Sequence, residues 1–150
     1  MGSRAQLSIG SRIDNVELAH LVVEETLAGL QMALSSAYEI AMAAREAVAN
    51  AIHHGNGEDP EKRVVVDVGV EGDEVTVKVA DEGAGFDLQS VRDPLSGENL
   101  MRSGGRGLLL MHRFMDEIDY TFGADGGTIV TLRKRLQEAG ERVSEEEERE

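Results

Sequence analysis

A glycine-rich turn between residues 102 and 107 is the first feature whose composition suits ligand binding. It reads Arg-Ser-Gly-Gly-Arg-Gly and runs into an apolar stretch, Leu108 to Phe114, that is expected to be helical. The first backbone amides of a helix have no intrahelical partners and the helix dipole adds positive charge there, so this turn can receive a phosphate group. Alone, the same glycines would also fit a flexible loop at a helix start.

A second glycine-rich segment supplies a fixed hydrogen-bond acceptor. Asp81 directly follows a valine-rich strand and opens the run Asp-Glu-Gly-Ala-Gly-Phe over residues 81–86. Its two glycines permit positive φ or a close approach of the backbone to a ligand. Later in the chain, Thr128 opens the last strand after two glycines, and we expect it to hydrogen-bond near Asp81. The alternative for residues 81–86 is an ordinary turn after a strand.

Three polar side chains are spaced to share one face of a helix. Glu46, Asn50 and His53 lie at i, i+4 and i+7, so a carboxylate and an amide face one site. An apolar stripe beside them is expected to seat the helix on a sheet and leave the polar stripe at a pocket edge. This stripe comprises Ile40, Ala44, Ala47 or Val48, and Ala51. A solvated helix face is the alternative for the polar stripe.

The four segments, at residues 46–53, 81–86, 104–108 and 127–131, favour a nucleotide site when they are taken together. Each segment lies on the expected type of element. The agreement of several weak signals favours a nucleotide site over the separate alternatives of a flexible loop, an ordinary turn and a solvated helix face. The chain has neither the Gly-x-x-x-x-Gly-Lys run of a P-loop nor the Gly-x-Gly-x-x-Gly run of a dinucleotide-binding turn.

These segments resemble the N box, G1 box, G2 box and closing Gly-Thr strand of the GHKL ATP-binding superfamily. The resemblance spans roughly residues 10 to 135. Within the superfamily, the chain looks most like the small stand-alone anti-sigma factor serine/threonine kinases. The segment 46–55, Glu-Ala-Val-Ala-Asn-Ala-Ile-His-His-Gly, and the run Met-Asp-Glu at 115–117 are the closest points.

The resemblance implies a role for each matching residue. Asn50 would ligate Mg²⁺, Asp81 would read the adenine amino group of ATP, and Glu46 would be the general base. The glycine turn is one residue longer here than in many relatives, which leaves both Arg102 and Arg106 as candidates for the cation at the γ-phosphate; Arg102 is favoured. The other residues assigned to the nucleotide site are His53, Gly83, Gly85, Phe86, Gly104, Gly105, Arg106, Gly107, Leu108 and Thr128.

The function implied by the resemblance is that of an ATP- and Mg²⁺-dependent serine/threonine kinase that acts as an anti-sigma factor. It would bind a sigma factor, phosphorylate an anti-anti-sigma antagonist and form a homodimer. Two alternatives stay open: a non-catalytic ATP-sensing module that binds other proteins, and a histidine-kinase-like ATPase domain. No helical hairpin with a His-Glu or His-Asp phosphoacceptor precedes residue 46 in this chain, which favours the anti-sigma kinase over a histidine kinase fragment.

Composition predicts one domain and restricts the class of partner. The 150 residues, 41% of them hydrophobic, are enough for one core, expected over residues 1–136. Residues 137–150 form an acidic tail that is expected to be disordered; seven glutamates and two arginines give 138–150 a net charge of −5. The overall charge of −14 argues against direct nucleic-acid binding. The lack of cysteines and of a membrane-spanning apolar run fits a reducing cytosol, and the resemblance implies a bacterial cytoplasmic protein.

The four histidines are not expected to bind a metal. His53 and His54 are adjacent and diverge by about 100° on a helix, so they cannot readily chelate one ion together. His20, on an amphipathic helix, is expected to be a surface or hydrogen-bonded histidine. His112 is expected to pack against, or project from, the helix that follows the glycine turn.

Periodicity predicts the order of the elements. We expect a first strand at 5–9, a long helix at 13–34, and a second helix capped by Ser35-Ser36 and ending near Gly55. Alternating valines at 64–70 and 75–79 predict a hairpin. A helix from 107 to about 114 and a final hairpin, 118–122 with 128–133, follow. The fold class is an α/β sandwich (α+β), with helices over one face of a mixed, largely antiparallel sheet.

Overall fold

Five strands and three helices make up the part of the chain that the structure, a computed structural model, describes: residues 2–30, 32–83, 105–123 and 126–136. The strands are β1 (Gly2–Gly10), β2 (Arg63–Glu71), β3 (Glu74–Ala80), β4 (Glu117–Phe122) and β5 (Thr128–Arg135). The helices are α1 (Asn15–Gly29), α2 (Leu34–Asn50) and α3 (Gly105–Phe114), and a π-helical turn, Ala51–Gly55, continues α2.

The strands form one sheet in the order β1-β2-β3-β5-β4, and all four pairings are antiparallel. A parallel pair, which a mixed sheet requires, is not found among the described residues. The α+β fold class is otherwise confirmed. In the β2–β3 hairpin, the turn contains Gly72 with φ of 62°, a conformation that glycine adopts without steric cost.

The core lies between one face of the sheet and the helices. The alternating valines of the central hairpin are almost completely buried, as the period-2 pattern predicts, at Val64, Val66, Val68, Val75, Val77 and Val79. The predicted apolar stripe of α2 is buried over the same core, including Ile40, Ala44, Ala47, Val48 and Ala51. Its small alanines let the helix backbone lie close to its neighbours. No helix among the described residues is long and apolar enough to cross a membrane.

The boundary between α1 and α2 differs from the sequence prediction. α1 ends at Gly29 rather than at residue 34, and both Leu30 and Met32 donate backbone hydrogen bonds to Leu27 O. The connection also buries Met32 and Ala33, so buried apolar residues continue past the end of the helix. An apolar pattern that runs on into a buried connection does not mark where α1 ends.

The predicted serine cap of α2 is wrong. The helix already begins at Leu34, so Ser35 and Ser36 lie in its first turn rather than before it. The N-cap residue is Ala33, with extended backbone angles and no side-chain capping bond. A serine caps a helix only from the non-helical residue that precedes it, and the helix here starts at least two residues too early for that.

Candidate functional site

Asp81 stands at the exit of β3, where the chain meets the start of β5. Asp81 N donates to Thr128 O over 2.9 Å, and Asp81 Oδ1 accepts from Gly83 N at 2.9 Å and from Thr128 N at 3.2 Å. The residue is 8% exposed. The expected proximity of Thr128 and Asp81 is thus present, although it is the backbone of Thr128, not its hydroxyl, that contacts the carboxylate.

Burial controls the electrostatics of this carboxyl. Desolvation raises the pKa of Asp81 above its ordinary value, and the two N–H donors from Gly83 and Thr128, with the nearby charge of Lys62, act in the opposite direction. The neighbouring Thr128 is fully buried, and its Oγ1 has no hydrogen-bond partner within the described residues. A buried acceptor and an unsatisfied hydroxyl in contacting residues are suited to a polar group on a ligand, since an unpaired buried hydroxyl is costly.

Three glycines allow the chain to close around Asp81. A Cβ at Gly55 would lie 2.3 Å from Asp81 Oδ2, and one at Gly127 would lie 2.2 Å from Asp81 O. A Cβ at Gly83 would lie 1.6 Å from Gly55 O. Only glycine fits such approaches of backbone to backbone or to a carboxylate. The sequence assigns Gly83 to the site and predicts Gly55 as a helix stop, whereas Gly127 opens the fourth motif segment without being assigned to the site.

Glu46 and Asn50 lie on α2 one helical turn apart, and both are partly exposed. Partial burial raises the pKa of Glu46, and the positive charge of the adjacent Arg45 opposes that rise. Arg45 in turn pairs with Glu17 of α1. The predicted carboxylate and amide therefore do share one face of a helix, and the carboxylate has an increased affinity for a proton.

His53 lies beyond the point at which α-helical spacing holds. The turn Ala51–Gly55 is π-helical, and a π turn carries more residues than an α turn, so the i+7 relation to Glu46 no longer places two side chains on one stripe. His53 is exposed, and its Nδ1 lies 3.0 Å from Glu58 Oε2. The shared stripe is therefore wrong for His53, and its assignment to a nucleotide site stays a prediction.

The predicted phosphate turn is described only in part. α3 begins at Gly105, two residues before the predicted start, so residues 105–108, including Arg106, Gly107 and Leu108, form the first turn of a helix. α3 packs against α2, and Lys134 Nζ donates to Phe114 O at its other end over 3.1 Å. Gly85, Phe86, Arg102 and Gly104 lie outside the described residues, and their assignments stay predictions.

Sequence reasoning missed Asn56 and Ser11. Both are buried polar residues, and Asn56 hydrogen-bonds to Ser11 Oγ, to Arg63 O and to the backbone N–H of Glu82, next to Asp81. In the sequence, Asn56 stands between two glycines and is typical of a helix stop. No local pattern distinguishes a loop asparagine from one that links three segments of the core.

Of the two alternatives that the sequence left for His20, a surface histidine or a hydrogen-bonded one, the structure shows a buried, hydrogen-bonded histidine. Its Nε2 lies 2.9 Å from Glu24 Oε2, while its Nδ1 has no partner among the described residues. The ring contacts Tyr38 edge-on with centroids 5.9 Å apart. His20 is thus only half satisfied, and it lies on α1, outside the cluster around Asp81.

Comparisons with known proteins place the chain in a family. The model of the histidine kinase-like ATPase domain matches residues 9–134. The anti-sigma F factor of Geobacillus kaustophilus is 34% identical over 139 residues, which cover 91% of this chain and 94% of that protein. The anti-sigma F factor of Bacillus subtilis is 32% identical over 142 residues, covering 93% of this chain and 97% of that protein.

Solved structures share the fold. A Mycobacterium tuberculosis structure with RsbU and RsbW domains aligns with a TM-score of 0.65 at 24% identity; the alignment covers 89% of this chain but 32% of that longer one. The mycobacterial sensor histidine kinase MprB aligns with a TM-score of 0.51 at 14% identity, covering 87% and 97%. These structures confirm the fold, and the sequence matches confirm the resemblance that the four segments indicate. The chain therefore belongs to the histidine kinase-like ATPase domain family of the GHKL superfamily, in the branch that contains the anti-sigma F factors.

Proposed function

We propose that this protein is an ATP- and Mg²⁺-dependent serine/threonine kinase that acts as an anti-sigma factor. In this proposal it binds a sigma factor and phosphorylates an antagonist protein. The similarity to proteins named anti-sigma F factors over nine tenths of the chain supports the regulatory role. The observation that carries nucleotide binding is the buried Asp81 carboxylate, enclosed by glycine backbone beside a Thr128 hydroxyl that lacks a partner in the described chain.

The Asp81 end of the site fits an adenine base. Asp81 Oδ1 is held by two backbone N–H groups, which orient the carboxylate and leave Oδ2 beside the Gly55 backbone. Oδ2 would accept a hydrogen bond from the adenine amino group, and Thr128 Oγ1 would satisfy its hydrogen-bonding capacity on the base or on a water beside it. A base that presents a carbonyl in place of the amino group would leave the buried carboxylate unpaired, which costs affinity.

The α2 end of the site fits the phosphates and the metal. Mg²⁺ usually keeps several waters and binds few protein ligands besides the substrate phosphates, so the single amide oxygen of Asn50 suits it. When bound, the ion would neutralise charge on the phosphates. Glu46, one turn earlier on the same face, would accept the proton of the attacking hydroxyl, and the rise in its pKa caused by burial favours that role.

The first turn of α3 would hold the phosphates by its backbone. Gly105 and Gly107 lie within that turn, where amide groups lack helical acceptors. Positive charge from Arg102 or Arg106 would stabilise the transferring phosphoryl group, because such transfer depends mainly on positioning and electrostatics.

Protein contacts are assigned by this proposal to the exposed side of α1. Leu18 and Leu21 are large exposed apolar residues on that helix, and Glu17 and Glu25 are exposed acidic residues. Such a surface suits a sigma factor, or a second copy of the chain in a homodimer. The net charge of −14 favours a basic protein surface as partner, and the proposed location is the bacterial cytoplasm.

Calorimetric titration of ATP with and without Mg²⁺ tests the nucleotide site. Binding by the wild type that depends on Mg²⁺ and is weakened in Asn50→Ala is expected, since the variant removes the proposed metal ligand. A wild type that does not bind ATP would refute the proposal.

Phosphate transfer from γ-labelled ATP to a candidate antagonist then tests catalysis. Glu46→Gln is expected to abolish transfer while it retains ATP binding, whereas Glu71→Gln, which removes an exposed carboxylate at the end of β2, leaves transfer unchanged. ATP binding without transfer by the wild type would instead support the non-catalytic ATP-sensing module. Full activity of Glu46→Gln would remove Glu46 from its role.

A further inference from the structure

Asn56 joins three parts of the chain beside the Asp81 turn. It follows the π turn directly and is 3% exposed. Its Oδ1 accepts from Glu82 N at 2.8 Å, and its Nδ2 donates to Ser11 Oγ at 2.7 Å and to Arg63 O at 3.1 Å. Both amide N–H donors and the amide oxygen are therefore used within the protein, which fixes the orientation of the side chain.

The bonds of Asn56 close a ring with Arg63 and Glu82. Asn56 Nδ2 donates to Arg63 O, Arg63 N donates to Glu82 Oε2 at 2.5 Å, and Glu82 N donates back to Asn56 Oδ1. Glu82 is thus held through both its backbone and its side chain. The ring therefore holds the peptide unit between Asp81 and Glu82, and the next N–H along the chain, that of Gly83, donates to Asp81 Oδ1.

Ser11 anchors the far side of Asn56. Ser11 is 1% exposed, and its Oγ donates to Lys62 O at 2.7 Å while it accepts from Asn56. Rotation of the Asn56 amide would leave these buried groups unpaired, which is costly in a low-dielectric interior. The amide is therefore a rigid link between the end of β1, the start of β2 and the turn after β3.

The same short segment touches both sides of Asp81. Gly55 lies against Asp81 Oδ2, and the next residue, Asn56, holds the N–H of Glu82. On the other side, Gly83 N donates to Asp81 Oδ1. Displacement of Asn56 would therefore loosen the turn that supplies one of the two donors to the carboxylate.

We propose that Asn56 is a positioning residue for base recognition: the Asn56–Arg63–Glu82 ring holds the 81–83 turn so that the Asp81 carboxylate keeps its orientation toward the amino group of adenine. The inference rests on the proposed function, because it deepens the assignment of Asp81. Asn56 acts through the turn and does not touch the nucleotide. Without the ring, a smaller fraction of molecules holds the competent orientation, and the apparent affinity falls by that fraction.

Weaker ATP binding by an Asn56 variant could come from a misplaced Asp81 carboxylate or from a general loosening of the fold. The ratio of the affinities for ATP and inosine triphosphate distinguishes these two causes. The two nucleotides share ribose and triphosphate, but hypoxanthine carries a carbonyl where adenine carries the amino group. General loosening would weaken both to a similar extent. Loss of the orientation of the 81–83 turn would instead lower the affinity for ATP and leave that for inosine triphosphate nearly unchanged, since inosine triphosphate makes no favourable bond with the Asp81 carboxylate.

Calorimetric titration of both nucleotides into the wild type, Asn56→Ala and Asn15→Ala tests the inference. Asn15 is a matched control, because its Nδ2 donates to Gly10 O near Ser11 but has no bond to the turn. We expect the wild type to bind ATP about tenfold more tightly than inosine triphosphate. In Asn56→Ala this affinity ratio is expected to be at least about threefold smaller. Asn15→Ala is expected to keep the wild-type ratio.

The outcomes distinguish the two proposals. If the wild type binds ATP and prefers it, and folded Asn56→Ala keeps the full ratio, the positioning role is overturned while the nucleotide site stands. If the wild type does not bind ATP, or does not prefer it, base recognition by Asp81 is overturned and this inference with it.

Amide hydrogen exchange on the wild type tests the ring without any variant. The Glu82 N–H, donated to a buried amide oxygen, is expected to exchange as slowly as amides within β3. Exchange at the rate of an unprotected loop amide would overturn the inference, even if Asn56→Ala fails to fold.

Discussion

The carboxylate of Asp81 lies so close to the backbone of Gly55 that a Cβ at position 55 would be 2.3 Å from Asp81 Oδ2. The two residues are brought together by the end of the π turn on one side and the exit of β3 on the other. This contact places the orienting group of the proposed adenine site against a bare stretch of backbone. A side chain of any size at position 55 must move the carboxylate.

Replacing Gly55 by Ala is therefore expected to lower both stability and ATP affinity. Overpacking of this kind costs about 1 to 3 kcal/mol, and relief by movement of Asp81 would remove its alignment with the base. Urea unfolding and ATP titration measure the two effects. Gly29→Ala, at the last residue of α1, is the control: a Cβ there meets nothing within 4 Å, so stability and ATP affinity should stay close to those of the wild type. Unchanged ATP affinity in Gly55→Ala would contradict the proposed contact.

Asp81→Asn is expected to change how stability depends on pH. Burial raises the pKa of Asp81, so in the acid range the folded protein keeps a proton that the unfolded chain has released. The free energy of unfolding contributed by this group therefore falls as pH rises from the ordinary carboxyl pKa through the raised one. The variant lacks this loss, so it gains stability relative to the wild type as pH rises through that window.

Asp67→Asn provides a control of opposite sign. The hydrogen bond from Arg4 lowers the pKa of Asp67, so its contribution to stability is present above the ordinary pKa and is lost as pH falls through the lowered one. Asp67→Asn should therefore lose stability relative to the wild type as pH rises. Denaturant unfolding at a series of acid to neutral pH values gives both curves. Parallel curves for wild type and Asp81→Asn would show that the carboxyl is not perturbed.

On the acid side of its pH profile, the rate of phosphate transfer is expected to fall at a pH above the pKa of an exposed glutamate. Glu46 must be deprotonated to act as a base, and burial raises its pKa. Arg45→Gln should move the acid limb to still higher pH, because the charge of Arg45 opposes the rise. Glu17→Gln removes the partner of Arg45 but keeps the cation. In this variant the transfer rate should still fall at a pH above the pKa of an exposed glutamate. Rate profiles against pH decide this, and an acid limb that Arg45→Gln leaves in place would exclude Glu46 as the titrating base.

Lys134→Met is expected to loosen the helix that carries the phosphate turn. Lys134 Nζ donates to Phe114 O at the C-terminal end of α3, where a cation also interacts favourably with the helix dipole. Loss of the bond should lower stability by about 1 kcal/mol and weaken ATP binding. Lys78→Met is the control, since Lys78 is exposed on β3. Thermal unfolding and ATP titration measure the two effects. The same stability and ATP affinity in both variants would contradict a role for the hydrogen bond from Lys134 to Phe114 O.

The elements of the fold were largely predictable, because each depends on a local period. The valines of β2 and β3 alternate, and the buried stripe of α2 repeats at helical spacing, so their inward faces follow from sequence. The end of α1 was not predictable in this way. Leu30 N and Met32 N both turn back to Leu27 O there, while buried apolar residues continue into the connection at Met32 and Ala33, so the apolar pattern does not mark the end of the helix.

The candidate site was predictable where residue type and spacing carry the chemistry. Glu46 and Asn50 share a helix face, and Asp81 and Thr128 are hydrogen-bonded neighbours, as expected. His53 was misplaced because the π turn interrupts the helical period after Asn50. Asn56 was missed because its importance lies in its partners, and these are distant in sequence.

The sequence by itself determined the type and order of the elements, and it placed a carboxylate, an amide and glycine-rich turns at their ends. Those properties follow from backbone sterics and hydrophobic periods, which act over a few residues. Only the tertiary structure decided that Gly55, Asp81 and Gly127 meet within van der Waals distance, and that Asn56 links Ser11, Arg63 and Glu82. Such contacts depend on how the helices pack on the sheet, which is a property of the whole core.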